Sequence, residues 1–370
     1  MIVCPSCLGD SAALRTRFDE RGTRGTCPTC GSEGVRVLEA SELSDLFEGI
    51  KAYYEPLIGD AYRLGKEGVH GLGPDSGEES LVEILREAWE VFSDEIDDEK
   101  AEEILASVWP GYIGEYLRHG SQLWREVSSE WDNLKRSLTH DWRFFHNGKL
   151  VAETVERLLD PWVEMLESPL TSRSWRRARI QESRDSPFDQ DAMGAPPSHK
   201  ARAGRANPPG IPHLYVASDE ATAVAEVCAE PGEWLTVATV EIPPDRLRVL
   251  DLTRDVRIVD PFAHGDLHQA LMLRELLQII SYELSRPVRP SDHEIDYVGT
   301  QFISEYFRNE GFSGIVYPSA MASGINAVFF DPAIATIAGC VQRMVWAKSV
   351  DVIDDQEFER RERKQRGFSF

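Results

Sequence analysis

At 370 residues, with 42% hydrophobic residues and nine tryptophans, the chain predicts two or three compact units with a sizeable core. Its formal net charge of −23 argues against sequence-independent binding to nucleic acid, which needs Lys and Arg to neutralise phosphates. No apolar run approaches the roughly 20 residues that span a bilayer, and MIVCPSCLGD lacks the basic-then-apolar order of a signal peptide. A soluble cytoplasmic protein with no membrane partner is expected.

Residues 1–37 carry Cys4, Cys7, Cys27 and Cys30 as C-x2-C, nineteen residues, C-x2-C. Tetrahedral zinc takes four soft ligands, and two such knuckles on a short loop supply them, so this segment predicts a zinc ribbon holding a structural Zn2+. Cys228 and Cys340 stand among apolar neighbours and are expected to be core thiols.

Residues 38–169 read as an all-α domain. Ser41 or Ser44 starts a capped helix, LVEILREAWEVF places Leu81, Leu85, Ala88 and Phe92 on one stripe, and SQLWREVSSEWDNLKRSL does the same with Val127, Trp131, Leu134 and Leu138. A further stripe holds Val151, Val155, Leu158, Leu159 and Trp162, with turns at GLGPDSG and HNGK. The acidic run Ser93 to Glu103 has no ligand spacing and reads as a solvated helix junction.

The texture changes at Trp175. RRARIQ reads as a strand, Ser183 to Gly210 is rich in Pro, Gly and Ser, and PHLYVA, EWLTVATVEI, RLRVLDL, GIVYPS and NAVFFD read as short strands. Helical patterns intervene at DEATAVAEV, GDLHQALMLRELLQIIS and DYVGTQFISEYFRNEG. Neighbouring strands are often not separated by helices, which predicts a mixed α+β domain over 170–350 and a multidomain α+β chain overall. Residues 351–370 form a charged C-terminal tail. His264 and His268 have metal-ligand spacing, but with no Glu between them and no third ligand they read as a solvated helix face. Neither G-x-G-x-x-G nor a Walker A sequence occurs.

Taken in order, RRARI, MGAPP, GRANPPGIPHLYVASDEATAVAEV and DYVGTQFISEYFRNEGFSGIVYPSA resemble the RES domain family over roughly residues 170–340. The first half resembles the HEPN/RES N-terminal region fused to some RES domains. The resemblance implies an ADP-ribosyltransferase-like fold and action on NAD+, either cleaving it or transferring ADP-ribose, in toxins that several family members pair with an antitoxin. By position it implies Glu226, Arg177 and Ser319 as catalytic residues. Tyr215, Arg205, Asn207 and Arg179 would bind the nucleotide. Aligning on R-A-R-I makes Arg177 the family arginine, whereas aligning on the aromatic Trp175 would make it Arg176. In a strand Arg177 and Arg179 share a face with Arg176 opposite, and Arg177 is taken. Ala206 stands where the family often has a bulky aromatic.

The residue types suit that chemistry. Breaking the nicotinamide–ribose bond makes an oxocarbenium-like cation that a carboxylate stabilises. Guanidinium forks bind a pyrophosphate, a hydroxyl positions ribose or amide, and an aromatic stacks on nicotinamide. Two other functions compete with this one. One is a non-catalytic nucleotide-sensing or interaction protein. The other is an RNase of the HEPN type, which uses an Arg followed four to six residues later by His. Here Arg136 and His140 have the wrong gap, whereas Arg63 and His70 have a permitted one in a Gly-rich stretch.

Overall fold

The computed structural model describes residues 1–53, 55–56, 81–87, 89–111, 116–117, 120–141, 159–160, 163, 166–170, 172, 174–243, 247–253, 262, 267–286 and 293–347. Arg63, His70, Ala88, Val151, Val155, Leu158, Trp162, His264, both predicted turns and the C-terminal tail lie outside these described residues. The chain divides into two compact units, residues 1–126 with 257–274 and residues 127–256 with 275–370.

In the first unit, β1 (Ile2–Val3) precedes α1 (Ala12–Arg21), β2 (Thr23–Gly25) and β3 (Val35–Glu39), and the strands form a sheet in the order β1-β3-β2. The helix fills the interval between the two cysteine pairs. Ser11 caps it by accepting from Leu14 N–H, and Leu14 and Phe18 bury its inner face. There follow α2 (Glu48–Tyr53), the small antiparallel pair β4 (Glu55–Pro56) and β5 (Tyr116–Leu117), α3 (Leu81–Glu87) and α4 (Asp98–Val108). The acidic run supplies the Asp97 cap and exposed side of α4. Its Ala101, Ile104, Leu105 and Val108 are buried at helical spacing. The stripe expected to continue to Phe92 stops earlier: α3 ends at Glu87, Glu90 takes a positive φ of 49°, and Phe92 is buried from an extended bridge with Leu8.

α5 (Gly120–Arg136) runs into a π-helical turn, Ser137–Asp141, and Val127, Trp131, Leu134 and Leu138 are buried in the second unit as their spacing predicts. That unit is built on β6 (Glu167–Pro169), β7 (Ser174–Ile180), β8 (Leu214–Ala217), α6 (Glu220–Glu226), β9 (Trp234–Glu241), β10 (Arg248–Asp251), the part of α7 (Leu267–Ser285) from Glu275 onward, α8 (His293–Asp296), α9 (Val298–Asn309), β11 (Gly314–Pro318), β12 (Ile325–Phe329) and β13 (Thr336–Met344). The strands form one mixed sheet in the order β13-β9-β7-β8-β12-β11-β10-β6, in which β10 and β11 run parallel and the other neighbours antiparallel.

Alternation along the strands divides the core. Trp175, Leu214, Val216, Val240, Ala327 and Phe329 pack on one face, while Ala178, Ala217, Leu235 and Val237 meet Ala223 of α6 on the other. β7 pairs with β9 from Ser174↔Glu241 to Ile180↔Leu235 but touches β8 at Arg176↔Ala217 alone. The sheet therefore splits between β7 and β8, and α6 bounds the split. β13 was not legible beforehand, because Ala338, Gly339, Gln342 and Arg343 break its apolar alternation and its register shifts between Ile337 and Gly339. The two cysteines outside the ribbon also depart from expectation. Cys228 is exposed, since it follows α6 with a φ of +52° that turns it out of the core, and Cys340 is half-buried.

Candidate active site and cysteine cluster

A cavity of about 340 Å³ opens at the split in the sheet. Its floor is one row across four strands, Arg176↔Ala217↔Asn326↔Tyr317, all directly opposed in register. Opposed residues share a face, so the pairing alone brings these four side chains together. Glu226, at the last turn of α6, and Arg205 and Gly204, on the loop before β8, complete the walls with Tyr215 and Tyr297.

Glu226 is held through one oxygen. Its Oε1 accepts from Ser319 Oγ at 2.6 Å and from Asn326 Nδ2 at 2.6 Å. The Ser319 hydroxyl in turn accepts the N–H groups of Met321 and Ala322, so its single proton is directed at the carboxylate. Oε2 has no protein partner among the described residues. Such charge-assisted bonds are short and fix the carboxylate firmly.

Arg177 reaches into the split, where Nη1 donates to Tyr215 O at 2.6 Å. Its Nε is buried without a partner, and no carboxylate pairs with it among the described residues. Burial, then the neighbouring Arg179 charge, pulls the guanidinium down to about 10. A buried cation with no counter-charge is costly, and an anionic ligand would remove that cost. Arg205 donates to Arg286 O at 2.7 Å and lies over the Tyr297 ring at 5.6 Å.

The Tyr215 phenol accepts from Ala206 N–H at 3.0 Å and donates to Asn207 Oδ1 at 2.7 Å, so the cavity meets its ring rather than a free hydroxyl. Burial raises its pKa, as it does for Tyr317. Asn207 is buried and does not line the cavity. Its Nδ2 donates to the carbonyls of Arg202, Pro208 and Ile211, which shapes the loop that carries Arg205. Gly204 is required there, because a Cβ would stand 2.5 Å from Asn207 Oδ1 and 2.6 Å from the Tyr215 hydroxyl.

Of the residues singled out from sequence, Arg177, Arg205, Tyr215 and Glu226 thus line one cavity and Ser319 binds Glu226 beside it. Arg179 points elsewhere, donating to Ala192 O and lying 4.2 Å from the Phe188 ring centre. Sequence reading missed Tyr297, Tyr317 and Asn326, and it set Arg176 on the strand face away from Arg177, yet both arginines line the cavity. Asn326 carried a signal: it is the one polar residue in an otherwise apolar strand, INAVF.

In the first unit the four predicted cysteines converge. All four Sγ atoms lie within 4.8 Å of one another, with Cys4–Cys30 at 3.4 Å, Cys7–Cys27 at 3.6 Å and Cys4–Cys7 at 3.9 Å. A tetrahedron of sulfurs at roughly 2.3 Å from zinc has edges of about 3.8 Å, so this set fits a metal. Burial raises Cys4 to about 11. Cys30 is opposed by burial, but the Ser32 hydroxyl and N–H bring it down to about 7.

Fold and cavity define a mixed α+β domain whose split sheet carries an anchored carboxylate and arginines with no carboxylate partner among the described residues. Residues 174–347 match the family model described as RES domain. No curated protein matches. Among solved structures the chain is similar to the M. tuberculosis MbcT-MbcA toxin-antitoxin complex, at 16% identity over 51% of this chain and 91% of that chain. The TM-score of 0.29 is too low for that likeness to carry function across. No described helix is long and apolar enough to cross a membrane.

Proposed function

We propose that the RES domain consumes NAD+ by cleaving its nicotinamide–ribose bond, as a glycohydrolase, phosphorylase or ADP-ribosyltransferase. The observation that carries this reading is the Glu226 carboxylate, fixed by Ser319 and Asn326 on the wall of a cavity that also holds Arg177 and Arg205 with no paired carboxylate among the described residues. Arg177 and Arg205 take the pyrophosphate, and the Tyr215, Tyr297 and Tyr317 rings offer faces for nicotinamide. As the glycosidic C–N bond breaks, its electron pair goes to the pyridinium nitrogen and nicotinamide leaves neutral. Positive charge develops on the ribose, where the free Glu226 oxygen stabilises it. An acceptor then adds at that carbon, and the proton it loses passes to the carboxylate. Arg179 and Asn207 support the site from outside, one by holding the 190s segment and the other by shaping the loop.

The cysteine cluster holds a structural Zn2+, consistent with four thiol ligands and no open position. In a cell the consequence is growth arrest by NAD+ loss or target modification, in a toxin or defence effector restrained by a protein partner. Measuring NAD+ in cells expressing the wild type or Glu226→Gln tests the enzyme. Depletion by the wild type alone is expected. Depletion by both, or by neither, removes the assignment.

A further inference from the structure

A second cavity of about 200 Å³ lies in the same unit, lined by Lys135, Arg136, Thr139, His140, Arg286, Ile295 and Asp296. We infer that it binds a phosphate group of a nucleotide. In a chain of net charge −23, its lining sets three cations and an imidazole against the single carboxylate of Asp296. Lys135 and Arg286 are fixed rather than free. Each grips one oxygen of Glu283, at 2.8 and 2.9 Å, and this carboxylate is 8% exposed and not part of the lining. Lys135 also meets the exposed Asp132 at 3.1 Å, and Arg286 meets Asp296 at 3.6 Å. Among the described residues Arg136 has one partner, the neutral Asn133 Oδ1 at 2.8 Å, so its fork keeps most of its donors for a ligand.

The π-helical turn adds to this. It follows α5 directly after Arg136 and brings Thr139 and His140 to the same cavity, and such turns recur at binding sites. The two cavities share a wall, since Arg205 of the first donates to the carbonyl of Arg286 of the second, and Asp296 and Tyr297 are chain neighbours. The first cavity, at about 340 Å³, lies at the lower end of the roughly 300–1,000 Å³ of ordinary ligand pockets. The phosphate can therefore arrive as the far end of a dinucleotide seated in the first cavity, or on a separate nucleotide.

The test is calorimetric titration of the full chain at low salt with AMP, and with adenosine as the phosphate-free control. AMP has no nicotinamide bond, so this arm does not depend on the proposed reaction. Saturable AMP binding is expected, at least tenfold tighter than adenosine, falling tenfold or more in Arg136→Glu and less in Arg136→Gln. Arg136 is exposed and among the described residues bonds Asn133 alone, so both variants are expected to keep the fold, which a melting curve verifies. NAD+ titrated into Glu226→Gln, with and without Arg136→Glu, then separates the sources. An equal loss means one bridging dinucleotide, and no loss means a second nucleotide. Absent AMP binding, AMP and adenosine binding alike, or AMP affinity indifferent to both Arg136 variants would overturn the inference.

Discussion

Two donors on a single oxygen of Glu226 leave the other oxygen to the cavity, and this asymmetry makes Asn326 testable. Asn326→Asp would set a second carboxylate against the first, and two such groups in one site cannot both ionise easily, so the apparent pKa of the pair rises. Activity of this variant should persist only at higher pH, with the acidic limb of the pH–rate profile moved upward. Asn326→Ala should lower kcat and move that limb by less, since it removes a donor to the carboxylate without adding a charge. Among single residues, the motif order made Arg177, Arg205, Tyr215 and Glu226 legible. Tyr297 and Tyr317 were not, because an aromatic in an apolar pattern reads equally as core. The directions of Arg176 and Arg179 were also hidden, because the β7–β8 split decides which arginine meets a cavity and no property of the strand sequence reports it.

At the scale of elements, caps and ion pairs predict local stability. Asp45 receives both forks of Arg17 from α1, at 2.6 Å each. This hydrogen bonding, ahead of burial that opposes it, lowers Asp45 from 3.8 to about 2. A folded pKa below the unfolded one means stability that is present above about pH 4 and lost as pH falls towards 2. The carboxylate is 65% exposed, so the contribution is at most about 1 kcal/mol. Asp45→Asn should therefore lower the melting temperature at pH 6, and its gap from the wild type should close on acidification below pH 4. A second element-level test concerns the turn before β12. A Cβ at Gly324 would stand 2.1 Å from Thr222 Oγ1 and 2.3 Å from Asp219 Oδ2, and that Asp caps α6. Gly324→Ala should cost about 1–3 kcal/mol in denaturant unfolding by displacing the cap and the helix that bears Glu226. Strong periodicity made the start of α3, the length of α5 and most strands readable, whereas β13, with its bulge and its Gly and Gln, gave no alternation to read.

For the whole molecule, the division into two compact units predicts two separable responses. Chelation, or Cys27→Ser, should lower the transition of the first unit, because thiolate–metal bonding and folding are coupled. A nucleotide held by the second unit should raise the other transition, as any ligand of the native state does. Scanning calorimetry with chelator and with AMP checks both. A single transition moved equally by the two additions would contradict the assignment of metal and nucleotide to different units. The mixed α+β character and the cysteine cluster followed from spacing and pattern, while the unit boundary at 126/127, inside a continuous helical stripe, left no mark in composition.

The phenol of Tyr215 is the rivet between β8 and the segment bearing Arg205, touching both the Ala206 amide and the Asn207 side chain. Its loss would slacken the arginine at a distance, while the ring could still stack as before. Kinetics of Tyr215→Phe would then mimic a weakened grip on pyrophosphate, and an experimenter could credit the aromatic with a contact that belongs to its neighbour.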